Sequence, residues 1–338
     1  MNKLTKIGAS ALCGSLAAIS AANAGDLTVT GGVDMSWISL DDETTGNPIG
    51  IGSNLTFAGS GELDNGWSVA LSVAHLNGNG YSNTNVTVGI PGLGDFRISQ
   101  GVSGAGICRM DDLTPNVWEE AWGTGLGTGI DMVSGAGSGA NVEWTPSGTP
   151  DGLTARVVYS PAVGGSKSSD KISSGDDASV SKTGFDITLE ATSDITGVDG
   201  LTIWGGIAEV EQHTNSATYN GDKEESTFGA KYAMGSWTIG YQWSEEDTGQ
   251  ATGTTQYNND AYGITFQVND DLSIGYNHYE SKQVSATSTT ASATSLQIAY
   301  SVGGASIRLA DTSADNAAYQ TTAAYDKDGR VLSVSLAF

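Results

Sequence analysis

Apolar and aromatic residues take every second place in run after run from residue 27 to 338. The clearest runs are 67–75, 185–191, 237–243, 262–268, 272–276 and 296–300, and helical periodicity is almost nowhere sustained. A period of two sends alternate side chains to opposite faces of a strand, so each run has one apolar face and one other face. That other face is built from Ser, Thr, Gly, Ala, Gln and Asn. A dry sandwich core rejects such residues, whereas a wall with hydrocarbon outside and water inside accepts them. Two all-β architectures fit: a transmembrane β-barrel, and a secreted sandwich or β-helix whose polar face meets bulk water.

Turn chemistry separates the two. Tight Gly, Asn and Asp turns at 63–66, 91–94, 233–236, 268–271 and 302–304 alternate with long polar stretches at 41–47, 160–183, 209–223, 245–259 and 282–292. Short turns on one side and long loops on the other are what an outer-membrane barrel shows, periplasm below and exterior above. Trp37, Trp67, Trp144, Tyr159, Trp237, Trp243, Tyr262, Tyr276 and Tyr300 fall mostly near strand ends on the apolar face, where rings form interfacial girdles. Ordinary strand preference for aromatics accounts for part of that placement.

Both ends agree. Lys3 and Lys6, an apolar stretch over 7–22 and Ala22-Asn23-Ala24 have the order of a secretory signal peptide at 1–24, which leaves 25–338 as the barrel. At the other end Leu332, Val334, Leu336 and Phe338 share one face, and Val331, Ser333, Ser335 and Ala337 share the opposite one. This pattern fits a closing strand, with Phe338 as the signal for the barrel assembly machinery. Removing 1–24 takes away Lys3 and Lys6 and moves the formal charge from −24 to −26. So acidic a chain is unsuited to nucleic acid, which needs Lys and Arg for its phosphates. Cys13 leaves with the signal, and the lone Cys108 supports neither a disulfide framework nor a CxxC site.

One more run qualifies as a strand than an even-numbered barrel needs. The weakest covers 317–325, where Tyr319-Gln-Thr-Thr-Ala-Ala-Tyr325 has little apolar alternation. Assigning it to the last extracellular loop predicts a 16-stranded antiparallel transmembrane β-barrel, with eighteen strands as the alternative.

Between the fifth strand, at 95–100, and the sixth, at 140–144, lies a segment too long for an idle hairpin. Thr114 as a cap and Pro115 as the first helical residue predict a short helix over 116–122, and the glycines of 123–129 then free the chain to turn. Asp111, Asp112, Glu119, Glu120 and Asp131 concentrate here. Folded inward, the segment narrows a pore; folded outward, it is a solvated loop.

At this point the chain resembles the sixteen-stranded trimeric general diffusion porins of Gram-negative bacteria, in particular an alphaproteobacterial, Rhodobacter-like branch. The resemblance is carried by 53–72, with Gly61-Glu62 and the turn at 64–66, by the hairpin at 300–308, and by Phe338. It implies a homotrimer, and a third loop folded into the lumen with its acids facing basic side chains of the wall. By position those acids are Asp111, Asp112, Glu119, Glu120 and Asp131. Strand parity offers Arg97, Arg156, Lys231 and Arg308 as the wall bases. The chain lacks the dense arginine ladder of many members. Its acidity implies weak cation selectivity in a water-filled channel for small hydrophilic solutes and ions.

Other classes have less support. His75, His213 and His278 come without a Gly-x-Ser-x-Gly elbow or a zinc-binding pair, which argues against an enzyme. A surface structural or adhesive β-protein without channel activity shares the acidic loops. No cofactor is called for, although Asp41, Asp42, Glu43, Asp176, Asp177, Glu245, Glu246 and Asp247 lie in expected extracellular loops. There they could bind Ca²⁺ or Mg²⁺ or bridge through such ions to lipopolysaccharide.

Overall fold

The computed structural model describes residues 27–41, 47–76, 81–100, 104–138, 140–163, 181–212 and 218–337. The expected signal peptide at 1–24, Asp42, Glu43, Asp176, Asp177, His213 and the terminal Phe338 lie outside the described residues. The alternating runs become sixteen strands: β1 (Thr28–Asp41), β2 (Ile49–Glu62), β3 (Ser68–Leu76), β4 (Tyr81–Ile90), β5 (Gly94–Gln100), β6 (Asn141–Pro146), β7 (Leu153–Ser160), β8 (Ser181–Ala191), β9 (Leu201–Gln212), β10 (Lys223–Met234), β11 (Trp237–Asp247), β12 (Gln256–Gln267), β13 (Leu272–Val284), β14 (Thr289–Val302), β15 (Ala305–Asp315) and β16 (Lys327–Ala337). A four-residue helix, α1 (Ser193–Thr196), sits in the turn between β8 and β9.

Each strand pairs antiparallel with its sequence neighbours, and β16 returns to β1 from Gly32↔Ala337 to Asp41↔Asp328, closing the barrel. Closure leaves no strand without a partner on each side and so no open edge, which a wall in hydrocarbon requires. The two faces invert the burial pattern of a water-soluble protein. Phe185, Ile187 and Leu189 are about half exposed while Asp186 and Thr188 between them are buried. In β16, Leu332 and Leu336 are exposed and Val331 and Ser333 buried, as the alternation predicts. The apolar set faces outward, toward lipid.

Two of the expected long loops prove shorter than the sequence implies. Glu245↔Asn258 and Asp247↔Gln256 are ladder pairs, as is Lys282↔Thr290, so these connections shrink to 248–255 and 285–288. The 13 residues of β13 rise roughly 34 Å at about 3.4 Å per residue and about 40° of tilt, against an apolar band of about 25 Å. Above that band both faces meet water. The alternation fades there, and a strand reads as a loop. The demoted run behaves as expected: it forms two 3-10 turns, Ala317–Tyr319 and Ala323–Tyr325, in the last connection.

The polar face is buried by protein as well as by the barrel's own curvature. The segment 104–140 packs against it, and the largest fully buried side chains include Ile107, Met110, Leu126, Met132 and Val133 of that segment with Tyr279 of the wall. The buried apolar clusters thus lie between this segment and the wall, from Val158 of β7 to Ala314 of β15.

Candidate functional site

A segment with little regular structure carries backbone N–H and C=O groups that must find partners once buried. The wall supplies them strand by strand. On β6, Glu143 accepts the Gly106 amide at 2.8 Å and the Arg109 Nε at 3.1 Å, and a second Arg109 nitrogen completes a forked pair. On β8, Asp186 accepts the amides of Ile107 at 3.1 Å and Ala136 at 2.8 Å, tying the two ends of the segment together. Glu225 of β10 accepts the Ser134 amide at 3.2 Å and the Gly135 amide.

Carboxamides continue the series. Gln242 of β11 donates to the Met110 carbonyl at 2.5 Å, and Asn259 of β12 donates to the carbonyls of Asp131 at 3.1 Å and Met132 at 3.3 Å. Asn277 of β13 accepts the Ala121 amide at 2.8 Å and donates to the Glu119 carbonyl at 3.2 Å. Gln297 of β14 donates to the same carbonyl at 2.5 Å, and Thr312 of β15 meets Thr124 at 2.8 Å.

These bonds displace the helix expected over 116–122. Its amides and carbonyls are taken by Asn277 and Gln297, Glu120 is extended at φ −65° and ψ 145°, and only Ala121–Gly123 forms a 3-10 turn. Close approach also requires bare backbone. Gly240 and Gly263 are cross-strand partners on the inward face, and a Cβ on Gly263 would lie 2.1 Å from the Pro115 carbonyl oxygen. The pair forms a notch that receives Pro115.

The anticipated acids gather as two adjacent pairs. Asp111 stands against Asp112, and Glu120 against Glu119. Burial first, then the neighbouring carboxyl, pushes Asp111 up to about 9. Burial and Glu119 push Glu120 up to about 8, while Asn116 donates to its Oε1 at 2.7 Å. Both therefore keep a proton near neutrality, and the segment is less negative than a count of its acids implies. Asp131 stands apart. Burial and the charge of Glu225 raise its pKa, and Lys223 lowers it.

The four anticipated bases all sit on the inward face but do not form one opposing row. Arg97 donates to the Gly104 carbonyl at 2.9 Å and lies 3.7 Å from Glu143, its cross-strand partner. Arg156 lies opposite Thr188 and within the electrostatic reach of Arg109, Glu143 and Glu190. Lys231 stands 6.0 Å from the centre of the Trp204 ring. Arg308 pairs with Asp34 at 2.7 Å, and Asp34 also accepts from Ser333 at 2.6 Å.

Sequence reasoning misses Arg109, the single base of the segment, and the wall acids Glu143, Asp186 and Glu225 that hold the segment in place. The available signal is a large polar residue on an inward parity otherwise filled by small ones. Cys108 is buried, and burial pushes its thiol up to about 12, so it is held as the neutral thiol.

The anticipated cation ligands are divided among other contacts. Asp41 lies 3.6 Å from Arg330, and Glu246 faces inward to Lys223 at 2.9 Å, whereas Glu245 and Asp247 take the outward face. Among the described residues no three His, Cys, Asp or Glu side chains converge as a metal set.

No curated protein matches the chain. Among solved structures, the anion-selective porin from Comamonas acidovorans superposes with a TM-score of 0.64 at 15% identity, over 93% of this chain and 99% of that one. Salmonella typhi OmpF, solved in complex with daunomycin, gives 0.66 at 13% identity over 93% and 98%. A variant of Rh. blastica porin gives 0.57 at 14% identity over 93% and 100%. At such identities the likeness establishes the fold. The family model described as Gram-negative porin matches residues 8–326. With that match over nearly the whole chain, and a closed sixteen-stranded barrel that is apolar outside, the chain belongs to the Gram-negative porins, multi-pass β-barrels of the outer membrane.

Proposed function

We propose that the protein is a passive channel for small hydrophilic solutes and ions, weakly selective for cations, with the segment 104–140 as its constriction. The observation that carries this reading is the docking of that segment against the polar face of β6, β8 and β10–β15 by side chains from each. The segment's carboxyls and the guanidinium groups of Arg97, Arg109 and Arg156 about Glu143 supply opposed charges, and these favour polar permeants. The overall acidity supports a cation preference.

The partners in this reading are two further copies of the chain, lipopolysaccharide and the barrel assembly machinery. The trimer rests on the family resemblance. β1 and β2 carry six small residues that would let barrels pack closely, Gly31, Gly32, Gly50, Gly52, Ala58 and Gly59, but only Gly31 and Gly59 share the outward parity of Met35 and Phe57. The alphaproteobacterial affinity likewise rests on the sequence resemblance. In this reading Glu245 and Asp247, which take the outward face near the end of β11, are the carboxylates that divalent ions would bridge to lipopolysaccharide.

Planar-bilayer recording tests the proposal. The protein should conduct in steps. Replacing Asp111, Asp112, Glu119 and Glu120 together with their amides should move the reversal potential in a salt gradient toward anion permeation. Silence in the bilayer refutes a channel and leaves a surface structural protein; conduction without the shift takes the segment out of the constriction.

A further inference from the structure

The constricting segment has a second holder besides the wall. The last connection, between β15 and β16, turns inward through three left-handed residues, Asn316 (φ 51°), Ala318 (φ 54°) and Tyr319 (φ 58°). Ala and Tyr adopt this conformation only where surroundings impose it, because Cβ then crowds the following carbonyl. The surroundings here are specific. Asn316 anchors the base of the hook: its amide donates to Asp326 at 3.0 Å and its side chain to the Thr290 carbonyl at 3.0 Å.

The tip reaches the segment itself. The Ala318 amide donates to the Thr128 carbonyl at 2.7 Å. Gly129, left-handed at φ +72°, comes so close that a Cβ there would lie 3.1 Å from the Ala318 Cα. Tyr319 then passes between the segment and the wall. Its hydroxyl meets Ser281 of β13 at 2.7 Å, its ring lies 5.4 Å from that of Tyr257 on β12, and it packs against the cluster of Ala121, Ile130 and Met132.

From these contacts we infer that the hook at 316–319, through Tyr319, is a positioning element that fixes the 121–132 leg of the constriction and keeps the open pathway at one width. The inference rests on the channel reading given above. The leg has reason to need such a holder. Gly123, Gly125, Gly127 and Gly129 remove side-chain restraint from it, so its conformation is set by what touches it. Asn277 holds its start and Asn259 its end, and the hook supplies the backbone bond and the packing between them.

The test compares wild-type, Tyr319→Ala and Tyr319→Phe proteins, each folded to a β-rich, heat-resistant form and recorded as single channels in planar bilayers. The wild type should hold a quiet open level. Tyr319→Ala should lose it, flickering to sub-levels and closing at a lower voltage, because the leg moves when the ring is gone. Tyr319→Phe keeps the ring and loses the Ser281 bond, so it should fall between. If Tyr319→Ala conducts with wild-type noise and closing voltage, the positioning role is overturned while the channel reading stands. If the wild type itself is silent, both fall. Should Tyr319→Ala fail to fold, Tyr319→Phe and Ser281→Ala carry the test: flicker in both sustains the inference, and wild-type traces from both overturn it.

Discussion

Raising the pH from about 6 to about 10, a window that brackets both displaced carboxyls, should strengthen cation selectivity. Asp111 is pushed up to about 9 and Glu120 to about 8, so each holds a proton at the lower pH and loses it at the higher. If the segment 104–140 forms the constriction, as proposed, the pathway gains two negative charges. A unit charge about 10 Å from the path of an ion is worth roughly 0.4 kcal/mol in water, and screening at about 0.1 M salt leaves roughly 0.15 kcal/mol. Two such charges favour a cation and oppose an anion by roughly 0.3 kcal/mol each, which raises the cation-to-anion permeability ratio about threefold. At about 1 M salt the Debye length falls to about 3 Å and the effect should vanish.

The assay is the reversal potential across a KCl gradient at both pH values, for the wild type and for Asp111→Asn with Glu120→Gln. The double variant should lose most of the pH response and match the wild type at low pH. A variant whose selectivity climbs with pH as steeply as the wild type refutes the assignment of these two groups. The same displacement acts on stability. The folded state holds the Asp111 proton up to about 9, whereas the unfolded chain releases it near 3.8. Between those values the folded state binds more protons, so stability declines as pH rises through the window, and Asp111→Asn should flatten that decline.

Glu143→Gln removes the charge that holds Arg109 and should cost roughly 2 kcal/mol, between the cost for a buried pair and that for an exposed one, because Glu143 is buried while a third of the Arg109 side chain meets solvent. Urea unfolding in lipid vesicles measures it, and a loss below about 1 kcal/mol would mean that the pair does not hold the segment. Gly263→Val places side-chain atoms where the Pro115 carbonyl now lies; single-channel conductance should change, and an unchanged value would show that the notch is not required. Deleting Phe338 should block outer-membrane assembly while secretion continues, which normal outer-membrane levels of the truncated chain would contradict. Mass measurement in mild detergent should give a trimer, and monomers alone would count against it.

The barrel is legible in the sequence because its cause is local. A strand's two faces are set by alternate residues, so Leu332 and Leu336 outside and Val331 and Ser333 inside follow from side-chain chemistry at a spacing of two. The same alternation, by its absence over 317–325, returns sixteen strands and places that run in the last connection. Parity likewise puts Arg97, Arg156, Lys231 and Arg308 on the inward face. What local pattern leaves out is everything settled by partners far along the chain. The 116–122 stretch has the cap and the proline of a helix, yet Asn277, 156 residues beyond Ala121, and Gln297, 178 beyond Glu119, take its backbone groups. Arg109 reads as one base among acids until the fold sets Glu143 beside it. Asp111 and Glu120 count as charges in the sequence and hold protons in the fold, because burial, which only the closed barrel and its docked segment create, favours the neutral form.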